Sequence, residues 1–114
     1  MAFTFTNPTY DENGVFTITA TTNGSSAAGS FNLGFQPRWI KVYETTPSTF
    51  EWNNQMSAGT CFKFTSLTTN ILTVVASNGI TVVGPADSTS ARAQVTFGTG
   101  LHVNNSTYYA EMGR

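Results

Sequence analysis

The chain has 114 residues, with 5 Lys and Arg against 6 Asp and Glu, for a net charge of −1. Charged residues make up only 10%, against about 25% in an average soluble domain. That leaves no basic excess to release counterions from a nucleic acid and no polybasic patch for an anionic membrane. No apolar run approaches the roughly 20 residues that span a bilayer. No secretory signal is expected from Met1–Thr6, which lacks a basic start and a long apolar stretch. With 39% hydrophobic and 13% aromatic residues the chain is too apolar for disorder, and its length suits one domain over residues 1–114.

Its polar surface must come from neutral groups: 20 Thr, 10 Ser and 10 Asn. Thr is β-branched and suits a half-exposed strand, whereas Asn and Gly suit turns. Amphipathic helical spacing is missing, and period-2 alternation is frequent. Phe3-Thr4-Phe5-Thr6 alternates until Asn7-Pro8. After the Asp11–Gly14 turn, Phe16, Ile18 and Ala20 share one face and Thr17, Thr19 and Thr21 the other, as in a sheet with one dry side. Phe31, Leu33 and Phe35 alternate next, up to Pro37. In residues 38–44, Ile40 and Val42 face one way and Trp39, Lys41 and Tyr43 the other. A turn at 45–48 joins this strand to 49–53 as a hairpin. Phe62-Lys63-Phe64 is a further short strand. Asn78-Gly79 lies between the β-branched runs 71–77 and 80–83, the sequence signature of a hairpin with a type I′ turn and positive φ at both positions. Strands around Val95–Phe97 and over 107–112 complete about eight to ten short strands. The expected fold is all-β: an antiparallel β-sandwich, of jelly-roll type.

Residues that could carry chemistry are few. His102 is the only histidine and Cys61 the only cysteine, so a multi-histidine metal site, a thiolate cluster and an intramolecular disulfide are all excluded. No nucleophile elbow supports a Ser–His–Asp arrangement around His102. Nothing links Cys61 to His102 as a nucleophile–base pair. Cys61 reads as a small buried hydrophobe, and His102 as a surface or interface residue. Glu44 and Glu51 lie on the two arms of the 38–53 hairpin. They could face each other as a glycosidase pair, but pairing with Lys41, Arg38 or Arg92 on a sheet surface is the better reading. Glycosylation-like triplets at Asn23, Asn104 and Asn105 follow from the abundance of Asn, Ser and Thr. The expectation is a protein without catalytic residues, cofactor or metal. Trp39, Tyr43, Phe50 and Trp52 concentrate on one hairpin. Such a group fills a core or subunit interface more often than it binds a sugar or base, and these four are the interface candidates.

The run Gly34-Phe35-Gln36-Pro37-Arg38-Trp39-Ile40-Lys41-Val42-Tyr43 is followed by Phe50-Glu51-Trp52 with Met56, then Ser77-Asn78-Gly79-Ile80-Thr81-Val82, then Tyr108-Tyr109-Ala110. In this order, over roughly residues 31–112, the chain resembles small β-rich structural proteins of tailed bacteriophages and prophages. It departs from their pattern at 57–72, where Cys61-Phe62-Lys63-Phe64 is unusually apolar. The resemblance implies a virion protein. The leading expectation is a head decoration (cement) protein on the capsid surface, acting as a homo-oligomer (a trimer) with the major capsid protein as partner. The alternative is a tail or fibre module that binds a host-surface glycan.

Overall fold

The computed structural model describes residues 3–12, 14–24, 26–46, 48–65, 71–84 and 93–114. Nine strands run in the order β1 (Phe3–Tyr10), β2 (Val15–Thr22), β3 (Gly29–Leu33), β4 (Trp39–Glu44), β5 (Ser48–Asn53), β6 (Thr60–Thr65), β7 (Ile71–Val83), β8 (Ala93–Phe97) and β9 (Thr107–Gly113). A single 3-10 turn, Thr99–Leu101, precedes β9, and the described residues contain no α-helix. The all-β, antiparallel expectation holds. Pairing is unbroken in the order β1-β2-β9-β4-β5-β6-β7-β8-β3, and this one sheet curls into a nearly closed barrel. The alternation of Thr with apolar residues decides which face is dry. Phe16, Ile18, Ala20, Ile40, Val42 and Phe50 are buried, while Thr17, Thr21, Lys41 and Tyr43 face out. The predicted 38–53 hairpin forms as β4–β5, with Ile40 opposite Trp52 and Val42 opposite Phe50.

Every pairing in the sheet is antiparallel. With nine strands, the two edge strands β1 and β3 therefore run the same way where they meet, and no ladder joins them among the described residues. The seam is filled by aromatic rings instead. Phe5 lies 4.9 Å from Phe31 and 5.6 Å from Phe97, Phe3 packs edge-on to Phe97 at 5.9 Å, and Tyr10 packs edge-on to Phe35 at 6.2 Å. Gly29 makes the approach possible, because a Cβ there would sit 2.6 Å from that of Phe3. At the far end of the seam the Gly34 N–H donates to Tyr10 Oη at 2.9 Å. β1 also runs beyond Asn7-Pro8, where the alternation ends. A bulge between Thr6 and Thr9 absorbs the break, with Asn7 left-handed at φ 55°. Pro8 is tolerated because β1 is an edge strand.

Two connections cross the barrel, one at each mouth. Between β3 and β4, Phe35 and Pro37 are buried. At the opposite end, between β8 and β9, Leu101 is fully buried. Tyr108 fixes this second connection: its hydroxyl accepts from Val103 N–H at 2.6 Å and donates to Leu101 O at 2.5 Å. Beside it, buried Glu44 accepts from Thr46 N–H at 2.8 Å, from Thr46 Oγ1 and from Ser106 Oγ. A buried carboxylate without such donors would be costly.

The segment 71–83 departs from expectation. It is one strand rather than a hairpin, and it changes partner midway: residues 71–75 pair with β6, and 80–83 with β8. Residues 76–78 bulge out, and the strand rejoins β6 at Ile80, opposite Thr60. Asn78 alone is left-handed, at φ 59°. Gly79 behaves as an interior strand residue, donating to Gly59 O and accepting from Gly98 N–H, both at 2.8 Å. Tertiary packing thus overrides the local turn signal, because the Asn78 carbonyl is pressed onto two glycines. A Cβ on Gly98 would lie 2.2 Å from that oxygen, and one on Gly100 2.8 Å. Gly98→Ala is expected to destabilise the fold by about 2 kcal/mol or more, since the obstacle is backbone. A lowered urea midpoint at unchanged m-value checks this.

Candidate functional site

The outer face of the barrel carries the exposed apolar groups. Strand register sets them in transverse rows. One row runs Thr19–Tyr109–Tyr43–Thr49–Phe64–Leu72 across β2, β9, β4, β5, β6 and β7. The next runs Thr17–Glu111–Lys41–Glu51–Phe62–Val74. Their apolar ends coincide on the β6–β7 ladder, where Phe62 faces Val74 and Phe64 faces Leu72. Phe62 and Phe64 are each 39% exposed, Val74 61% and Leu72 64%. Thr49 and Glu51 join Phe62, Phe64 and Leu72 around an open cleft of about 380 Å³. Four large apolar side chains in two adjacent cross-strand pairs make a contiguous patch, unlike the scattered exposed hydrophobes usual on monomers. A second pair, Tyr43 opposite Tyr109, borders a cleft of about 330 Å³ with Thr17, Thr19 and Glu111.

The four aromatic interface candidates do not form one surface. Phe50 and Trp52 point inward, Phe50 fully buried and Trp52 7% exposed. Lys63 Nζ lies over the Phe50 ring at 5.7 Å. Tyr43 and Trp39 are on the outer face, Tyr43 43% exposed and Trp39 half-buried. Period-2 alternation separates neighbours 50 and 52 from 39 and 43 once the hairpin register is known. The outward apolar ladder of β6–β7 was not singled out from sequence. The signal that could have found it is the unusual apolarity of Phe62 and Phe64, combined with the pairing of 61–65 with 71–75.

Glu44 and Glu51 lie on opposite faces of the sheet: Glu44 is enclosed by its donors, and Glu51 is exposed opposite Lys41. They cannot act on one substrate. His102 is half-buried, with its ring edge-on to Phe3 at 5.7 Å and Nε2 without a partner among the described residues. Among those residues, no group of three or more His, Cys, Asp and Glu side chains could hold a metal ion. Asp87 and Arg92 lie outside the described residues.

Cys61 is fully enclosed, and burial pushes its thiol up to about 11, which suppresses the nucleophilic thiolate. Burial likewise pushes the Tyr108 hydroxyl up to about 12. A folded-state value above the unfolded one stabilises the protein below the unfolded value and is lost as pH rises through the folded one. Folding stability is therefore expected to fall as pH rises from 9 towards 11, where an unfolded thiol ionises and Cys61 does not. Urea midpoints across that interval should show the fall, and Cys61→Val should flatten it below pH 10, leaving the Tyr108 contribution above. No family model, curated protein or solved structure matches the chain.

Proposed function

We propose that this chain is a virion structural protein of a tailed bacteriophage: a head decoration protein that holds to the major capsid protein and to its own copies, as a trimer, through the outward face of β6–β7. The observation that carries the reading is the exposed quartet Phe62, Phe64, Leu72 and Val74. Apolar area of this kind is stabilised by removal from water, in proportion to the area covered. The chain is too poor in charge to build an electrostatic interface, and a contact made this way is little screened by salt. The sequence resemblance supplies the phage context. In the same reading the curled sheet is a flattened relative of the jelly-roll sandwich. Support for that comes from the two connections, β3 to β4 and β8 to β9, that carry the chain across between distant strands.

The test is retention on the particle. Phe64→Thr combined with Leu72→Thr should keep the fold at a cost of about 1 kcal/mol, because Thr suits a half-exposed strand and a facing Thr–Thr pair is tolerated where two facing aspartates would repel. The variant should sediment as a monomer and fail to cosediment with empty capsids, while the parent binds equally at low and high salt. A double variant that still decorates shells like the parent overturns the assignment of this face. A parent that binds no shell overturns the decoration reading.

A further inference from the structure

One feature of the outer face lies beside the β6–β7 quartet and shares only Phe62 with it. Trp39 stands opposite Gly113 on one side and Asn53 on the other. Its indole lies against Gly113, where a Cβ would meet Nε1, Cζ2 and Cε2 at 2.6, 2.7 and 2.8 Å. A residue without a side chain is therefore what allows the ring to lie down on the sheet. Trp39 and Phe62 both line an open cleft of about 250 Å³, with Trp52 and Met56 beside them. Between the two aromatics stand Lys41, Glu51 and Asn53, all exposed. Asn53 is oriented: its Oδ1 accepts from Gln55 N–H at 2.9 Å, which leaves the amide hydrogens as its donors. The cleft thus offers aromatic walls and a short polar floor with an ammonium, a carboxylate and an amide.

We propose that this cleft is a binding site for a neutral saccharide. A pyranose ring has an apolar face of C–H groups and a rim of hydroxyls that both donate and accept. Stacking on Trp39 covers the face. Glu51 accepts from a hydroxyl, and Lys41 and the Asn53 amide donate to one. The charges argue against an anionic ligand: the one ammonium in the cleft stands opposite Glu51 in register and, on its other side, opposite Glu111. A phosphate or sulfate would meet two carboxylates beside a single cation. The volume admits one or two sugar rings, so the site reads a short stretch or the end of a glycan, with affinity in the millimolar range typical of a small, open contact (Kd of about 1 mM,).

The experiment is saturation-transfer NMR and tryptophan fluorescence titration of the intact protein with glucose, galactose, mannose and N-acetylglucosamine and their neutral disaccharides. Heparin disaccharide and a sialylated sugar serve as anionic probes. Saturable binding of at least one neutral sugar is expected. Trp39→Ala should weaken it about tenfold or more, as loss of one stacked ring does, and Trp39→Phe should retain part of it. Parental urea midpoints in both variants separate loss of binding from loss of fold. Phe64→Thr with Leu72→Thr, which tests assembly, leaves Phe62 and the rest of the cleft in place and should leave sugar binding intact, so the two proposals fail separately. Absence of saturable binding across the neutral panel, binding that survives Trp39→Ala, or binding of the anionic sugars alone each overturns the proposal.

Discussion

An antiparallel sheet with an odd number of strands cannot close on itself antiparallel. Nine strands bring β1 and β3 together running the same way, and a ladder between them would be the one parallel pairing in the sheet. The protein closes the gap with side chains instead. Phe3, Phe5, Phe31 and Phe97 interlock in tilted and edge-on contacts, each of a kind that contributes about 0.5–1.5 kcal/mol beyond area burial. Packing of this type needs no backbone registry across the seam. Its requirements are a glycine at 29, against Phe3, and rings that meet across the gap: Phe3 and Phe5 from β1, Phe31 from β3 and Phe97 from β8. Open sheet edges invite pairing with other chains. Here the interior behind them is already full.

Much of this was legible in the sequence. Phe16-Ile18-Ala20 and Ile40-Val42 announced their buried face by alternation alone, and Thr45–Ser48 announced the β4–β5 turn. What could not be read is what depends on distant partners. Asn78-Gly79 carries a strong local hairpin signal, yet it sits in a strand held on both sides by Gly59 and Gly98. Nothing within a few residues of 78 reveals that two glycines some twenty positions later will receive its carbonyl. The odd strand count is likewise a property of the whole sheet.

The functional reading divided along the same line. Four aromatics close in sequence looked like one cluster, and alternation split them: Phe50 and Trp52 stabilise the inside, while Trp39 and Tyr43 belong to the outer face. The apolar ladder of Phe62, Phe64, Leu72 and Val74 unites residues about ten positions apart through β6–β7 register. The outer surface therefore has an apolar end on β6–β7 and, one strand away, the alternating Glu111–Lys41–Glu51 row. Contact with a broad apolar partner and recognition of a small polar one can occupy neighbouring ground without sharing their main anchors.

β9 is the last strand in the chain and the third in the sheet, inserted between β2 and β4. Until residues 107–113 arrive, the β1–β2 and β4–β5 hairpins have no common neighbour, and the Glu44 carboxylate lacks its Ser106 donor. Before β9 is seated, the β1–β2 hairpin and the β4-β5-β6-β7-β8-β3 sheet meet only through the aromatic seam, and an apolar gap stays open between β2 and β4. The barrel becomes one cooperative unit only when its final segment threads into the middle. Such closure by non-local contacts is slow, and it places the interval of greatest aggregation risk before β9 is seated.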